Sequence, residues 1–114
     1  MDKVEKFKQM AIKSFEAEKL GEHKVVNRCY KALNKIAADL YKNGEIGNLK
    51  PLMYSEHDAV RCNVAIALLP IYTEEAEAVL EELSPKKGAS LYMVAEMTLR
   101  EWRKGNIKYE YYQK

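Results

Sequence analysis

The stretch HDAVRCNVAIALLPIY, residues 57–72, decides how the rest of the chain is read. Val60, Val64, Ala65, Leu68 and Leu69 recur at spacings of three and four, which predicts an amphipathic helix. Asp58 stands at or near its start, where free backbone amides favour a carboxylate. Pro70 marks where it stops or bends, because proline lacks the amide donor and collides with the preceding turn. Thirty residues further on, Val94, Ala95 and Leu99 match Val64, Ala65 and Leu69, so the helices expected over 57–70 and 89–104 are self-similar. A period of this size is the mark of helical hairpins that stack as a solenoid. One hairpin cannot cover its own apolar face, and small residues such as Ala65 and Ala95 let a neighbour approach. A weaker third copy lies around Ala37.

Outward from this stretch the chain continues as helices. Toward the N-terminus, DKVEKFKQMAIKSFEAEKLG places Val4, Phe7, Ala11 and Phe15 on one face and is closed by Gly21. From about Glu22 to Asn43 a longer stripe runs through Val26, Cys29 or Tyr30, Leu33, Ile36, Ala37, Leu40 and Tyr41 to a stop at Gly44. It is expected to fold back on the first helix as a hairpin. Within EIGNLKPLMYS, Asn48 is expected to cap a helix of one or two turns with Pro51 in its first turn. Toward the C-terminus, Thr73 offers a cap for EEAEAVLEELS, which buries Ala76, Val79, Leu80 and Leu83. Glu74, Glu75 and Glu77 suit the first turn, whereas Glu81 and Glu82 near the end oppose the helix dipole. The loop SPKKG leads into a last helix, Ala89 to Lys104, that buries Leu91, Val94, Ala95, Thr98, Leu99 and Trp102. The tail NIKYEYYQK alternates Ile107, Tyr109 and Tyr111 with charged residues, as an extended segment laid along the helices would.

With 114 residues, the chain is expected to be one domain with an N-terminal hairpin over 1–44, repeats over 45–105 and a tail over 106–114. A content of 47% hydrophobic and 32% charged residues, with 5 Gly and 3 Pro, suits a folded helical protein. The longest apolar run, Val64 to Tyr72, is broken by Pro70 and falls short of the ~20 residues a membrane span needs. The charged start MDKVEKFKQM leaves no room for the apolar core of a signal peptide, so a cytoplasmic location is expected. Cys29 and Cys62 lie far apart with no His at metal spacing, which predicts two buried thiols. The net charge of +2 hides an uneven distribution. Residues 1–50 carry 11 Lys and Arg against 7 acids, residues 51–85 carry 1 against 7, and residues 86–114 carry 7 against 3. An acidic middle between basic flanks can steer a charged partner.

The stretch HDAVRCNVAIALL resembles the inner helix of short HEAT-like repeats, in which an Asp, a Val-Arg pair, and then Ala and Leu recur at helical spacing. Asp58, Val60, Arg61, Ala65 and Leu68 or Leu69 carry the match. The second copy departs from it, with Leu91 where Arg61 stands. From Tyr54 to Gly105 the order of features resembles a family of small bacterial HEAT-like proteins. The ending AEMTLREWRKG, with Leu99, Glu101, Trp102 and Gly105, is the more specific part. The resemblance implies an all-α protein, a short right-handed α-solenoid of HEAT-like antiparallel helical hairpins, with Asp58 and Arg61 in a polar ladder between neighbouring hairpins. Some small HEAT-like proteins of this size serve as immunity proteins in bacterial toxin systems. The implied role is therefore a non-enzymatic, protein-binding one in bacterial competition, with a cognate toxin domain as partner.

No residues assemble a recognisable reaction site. His57 and Asp58 are adjacent on a helix and point about 100° apart, so they are poorly placed to pair. There is no phosphate-cradling GxxxxGK[ST] or GxGxxG, and Glu74, Glu77 and Glu81 lack the oxygen-rich loop of a calcium site. Neither a cofactor, a metal nor a membrane partner is expected. If the toxin is a nuclease, Glu74, Glu75, Glu77, Glu81 and Glu82 are expected to fill its cationic active site as mimics of phosphate. Reversing Glu77 and Glu81 to Lys is then expected to weaken binding and leave stability nearly unchanged. Asn63, Tyr92, Glu96, Arg100 and Arg103 are candidates for a concave surface, because they lie off the apolar stripes. Tyr109, Tyr111 and Tyr112 offer either partner contacts or a cap for the solenoid's end. The alternative partner is DNA or RNA, gripped by Arg100, Arg103, Lys104, Lys86 and Lys87. The acidic middle segment opposes that alternative.

Overall fold

Asp2 turns its carboxylate back onto the Glu5 amide, and from this cap helix α1 runs over Lys3–Lys19. A computed structural model of the protein describes residues 2–109, with five α-helices, one 3-10 helix and no strand among them. Gly21, at φ +73°, supplies the left-handed turn that returns the chain into α2, His23–Lys42. The two helices make the most extensive contact in the molecule, closing Phe7 and Ala11 against Leu33, Ile36, Ala37 and Leu40. Of the two residues competing for the stripe of α2, Cys29 is buried and Tyr30 is exposed.

The next segment is longer than its sequence suggests. A 3-10 helix spans Ile46–Tyr54, nine residues, and begins before Asn48, whose own amide bonds to the Glu45 carbonyl. Asn48 is therefore inside the segment and is not its cap. Burial explains the length, since Ile46, Leu49 and Met53 all reach the core and hold the segment onto the following helix. At Gly47 a Cβ would stand 3.0 Å from the Tyr72 hydroxyl oxygen, so a larger residue there would require the tip of Tyr72 to shift.

Helix α3, Asp58–Leu68, is the centre of the fold. Seven of its eleven residues are buried, from Ala59 to Leu68, and it touches α1, the 3-10 helix, α4 and α5. A helix apolar nearly all round is stable only inside such a shell. Pro70 ends it as expected, and the Leu68 carbonyl takes the amides of both Ile71 and Tyr72. Helix α4 follows at once, Thr73–Leu83, with Tyr72 in the capping position. Thr73 is already helical, and its hydroxyl donates backward to the Leu69 carbonyl at 2.6 Å. Helix α5 is Ser90–Arg103. Ala89 has no side chain to cap it, so the Glu18 carboxylate does so from α1, accepting from the Ser90 amide at 3.1 Å and its hydroxyl at 2.6 Å.

The chain thus forms three successive helical pairs: α1 with α2, the 3-10 helix with α3, and α4 with α5. The contact from the first pair to α3 is made chiefly by α1. The radius of gyration is 13.2 Å, close to the ~13 Å of a globule of this length. No described helix is long and apolar enough to cross a membrane. Both cysteines are free and buried.

The self-similarity of α3 and α5 survives at two of its three positions. Ala65 and Ala95 are both fully buried, and Leu69 and Leu99 both belong to the core. Val94, however, is 37% exposed where Val64 is wholly buried. Helix α3 packs against α1, the 3-10 helix, α4 and α5, whereas α5 packs mainly on α3 and α4, so the stripe of α5 is narrower.

Candidate functional site

The charges that divide the sequence into basic and acidic blocks meet one another in the fold. Arg61, its side chain only 14% exposed, reaches from α3 to Glu82 of α4 at 2.9 Å and donates to the Met53 carbonyl at 3.1 Å. Asp58 takes the Lys86 ammonium at 3.0 Å and the Tyr92 hydroxyl at 2.8 Å. Glu77 accepts from the Trp102 indole at 3.1 Å and from Arg103, which also pairs with Glu81. Glu75 binds Lys50 and the Tyr54 hydroxyl. Four of the five glutamates of α4 therefore clasp neighbouring helices. Only Glu74 has no such bond among the described residues. Glu81 and Glu82, unfavourable at the end of an isolated helix, are compensated by Arg103 and Arg61.

The charge of this acidic face is thus partly offset by cations of the fold, while the Glu81 and Glu82 side chains remain 56% and 60% exposed. Reversing Glu77 and Glu81 to Lys would also remove the bonds to Trp102 and Arg103, so part of its effect would be on the contact between α4 and α5. The basic cluster is equally occupied, with Arg103 and Lys86 paired as described, Arg100 beside Glu96 and Glu101, and Lys104 beside Glu101. Lys87 is exposed.

Burial pushes the Asp58 carboxyl up, but the Tyr92 and Lys86 hydrogen bonds and the charges of Lys86 and Arg61 outweigh it and leave it below the ordinary carboxylate value. A carboxyl with a depressed folded pKa stabilises the fold fully above its unfolded value of about 3.9, and loses that contribution as pH falls through the folded value. Asp58→Asn is therefore expected to be less stable than the parent at pH 7 and to converge with it in acid. Denaturant unfolding at pH 7 and pH 3 checks this, and an equal gap at both would remove Asp58 as its source. Burial, followed by the Asp58 charge, pushes the Cys62 thiol up to about 12, which keeps it un-ionised and unreactive at neutral pH.

The surface candidates fall in two places, the one around Asn63 and the other on α5. Asn63, half-buried, lines a cleft of about 470 Å³ between α2 and α3. Its floor is Phe7, Leu33, Ala37 and Ala67, and its rim is Asn34, Asn63, Lys108 and Tyr109. Tyr92 lies elsewhere, its hydroxyl committed to Asp58. Glu96, Arg100 and Arg103 are exposed on α5, away from the cleft. Asn63 therefore stands apart, whereas Tyr92, Glu96, Arg100 and Arg103 follow one another at helical spacing along one face of α5.

Residues 106–109 follow α5 without regular structure. Tyr109 packs edge-on against Trp102, ring centroids 6.5 Å apart, and its hydroxyl donates to the Ile66 carbonyl. That carbonyl needs an outside donor because Pro70, four residues on, has no N–H to give. Tyr109 is thus a tie across α3. Tyr111 and Tyr112 lie outside the described residues.

Sequence reasoning missed two features. Met93 and Met97 of α5 are 65% and 48% exposed and, with Val94, form an apolar face one turn long. Their positions opposite Leu91, Ala95 and Leu99 on the helix were the available signal. The cleft had none, since it joins residues from three helices and the tail. Among the described residues no group of three or more His, Cys, Asp or Glu is placed to hold a metal ion. Compared with known protein families, with curated proteins and with solved structures, the chain matches none.

Proposed function

We propose that the protein is a short HEAT-like α-solenoid that binds another protein, as an immunity protein that neutralises a cognate bacterial toxin. The observation that carries the binding role is the exposed face of Met93, Val94 and Met97. Methionine is flexible and polarisable, and is favoured where a surface must fit a partner. Arg100, one turn further on, extends the same face with a residue type enriched at interface hot spots. The toxin-directed role rests on the resemblance of HDAVRCNVAIALL and AEMTLREWRKG to small HEAT-like proteins. The solenoid arrangement is supported by three successive hairpins, by the buried pair Ala65 and Ala95, and by Asp58 and Arg61 crossing to the following pair.

Contact through α5 replaces the phosphate-mimic mechanism, because the acids of α4 are engaged within the fold. The nucleic-acid alternative is opposed by the acids among these cations, Glu77, Glu81, Glu96 and Glu101, which would repel a phosphate backbone. Co-expression with the product of the adjacent gene, followed by pull-down and calorimetry, tests the proposal. A tight one-to-one complex with a toxic neighbour is the expected result, and retention of nucleic acid alone would sink it. Within that complex, Met93→Glu with Met97→Glu is expected to weaken binding by about a hundredfold or more. The melting temperature should stay near that of the parent, as for other exposed positions.

A further inference from the structure

We infer that the cleft between α2 and α3 is a binding site for a small amphiphilic carboxylate, an apolar body carrying one anionic head. Its volume of about 470 Å³ falls within the 300–1,000 Å³ typical of small-molecule sites. The floor is apolar and built into the core: Phe7, Leu33, Ala37 and Ala67 are all buried there. Among the described residues Lys108 supplies the only charge in the lining. It has no ion pair among the described residues, unlike Lys50 and Lys86, and none of the described carboxylates lines the cleft with it. A single ammonium matches a monoanion, whereas a phosphate dianion would call for further cations.

Two carboxamides complete the site. Asn63 spends one amide hydrogen on the Ala59 carbonyl at 2.8 Å, which fixes its side chain and leaves its oxygen and second hydrogen for a ligand. The Asn34 side chain, across the cleft on α2, makes no hydrogen bond among the described residues. An apolar floor, one cation and two neutral amides thus converge on one concave space. The site is independent of the protein-binding face, since Met93, Val94 and Met97 take no part in its lining.

The test uses 3-phenylpropionate and its uncharged counterpart 3-phenylpropanamide, titrated into the isotopically labelled full chain and followed by NMR. The acid is expected to shift the side-chain amide signals of Asn34 and Asn63 and to bind at least about tenfold more tightly than the amide. Lys108→Gln is expected to erase that preference. Asn34→Phe, at an exposed position on the rim, is expected to abolish both titrations without disturbing the core. Equal affinity for acid and amide, or shifts confined to other residues, would overturn the inference. Neither outcome bears on α5, so the protein-binding proposal stands or falls on its own pull-down.

Discussion

Phe7→Ala is expected to lower the free energy of unfolding by about 3–5 kcal/mol, or roughly 12–20 °C in melting temperature for a domain of this size. Phe7 is among the largest fully buried side chains, and it joins α1 to the stripe of α2 beneath the cleft. Truncation removes its transfer free energy and leaves a void that cannot fully collapse. On one side Ala11, Ala37 and Ala67 are too short to fill it, and on the other Leu33 is already packed. A domain of about 5–15 kcal/mol total stability cannot lose that much without a visible unfolded population. Phe7→Leu keeps most of the volume and is expected to recover more than half of the loss. Phe15→Ala, on the same helix but only partly buried, is the comparison for exposure. Denaturant unfolding of the three variants measures the series. A loss under ~1 kcal/mol for Phe7→Ala would mean that α1 is not part of the cooperative core.

Arg61→Met is expected to cost about 1–3 kcal/mol, even though it exchanges a charge for an apolar side chain at a mostly buried position. The methionine retains the packing of the stem, but the guanidinium's partners are stranded. The Met53 carbonyl loses its donor, and Asp58 loses a cation 3.7 Å away in a half-buried setting. Glu82 loses its partner too, but it faces water and its contribution is small. The cost is thus expected to fall mainly on the join between the 3-10 helix and α3. A double-mutant cycle with Glu82→Gln separates the two contributions. If the coupling with Glu82 accounted for most of the Arg61 effect, the bond to Met53 would not be the main anchor. Hydrogen exchange supplies a second readout: Arg61→Met should lower protection over Ile46–Tyr54 before it does so in α1 and α2.

Much of the fold is legible in the residues taken in order. The apolar spacing of Phe7, Ala11, Leu33, Ala37, Val60, Val64, Leu80, Leu83, Ala95 and Leu99 identifies which side of each helix enters the core. Gly21, Gly44, Pro70 and Gly105 mark where helices stop. These features are local, because a helix's own geometry turns spacing into a face. The short segment 46–54 was harder, since its nine residues are stabilised by burial against α3 and not by a cap or a propensity visible within it.

The candidate site was far less legible. Glu75, Glu77, Glu81 and Glu82 look like a free acidic face as long as their partners are unknown, and those partners stand 21 to 26 residues away along the chain. Val94 was assigned to the core from a match with Val64, but the two helices do not have the same number of neighbours. The sequence by itself determined an all-helical chain, the order and ends of most helices, and their inward sides. The tertiary structure alone decided which charges cancel, that Tyr109 serves the carbonyl Pro70 leaves unserved, and that Asn34, Asn63 and Lys108 border one cleft. The physical reason is that periodicity orients a side chain about its own helix axis. Electrostatic pairing and cavity formation depend on which helices become neighbours, and that is settled only when the whole core is packed.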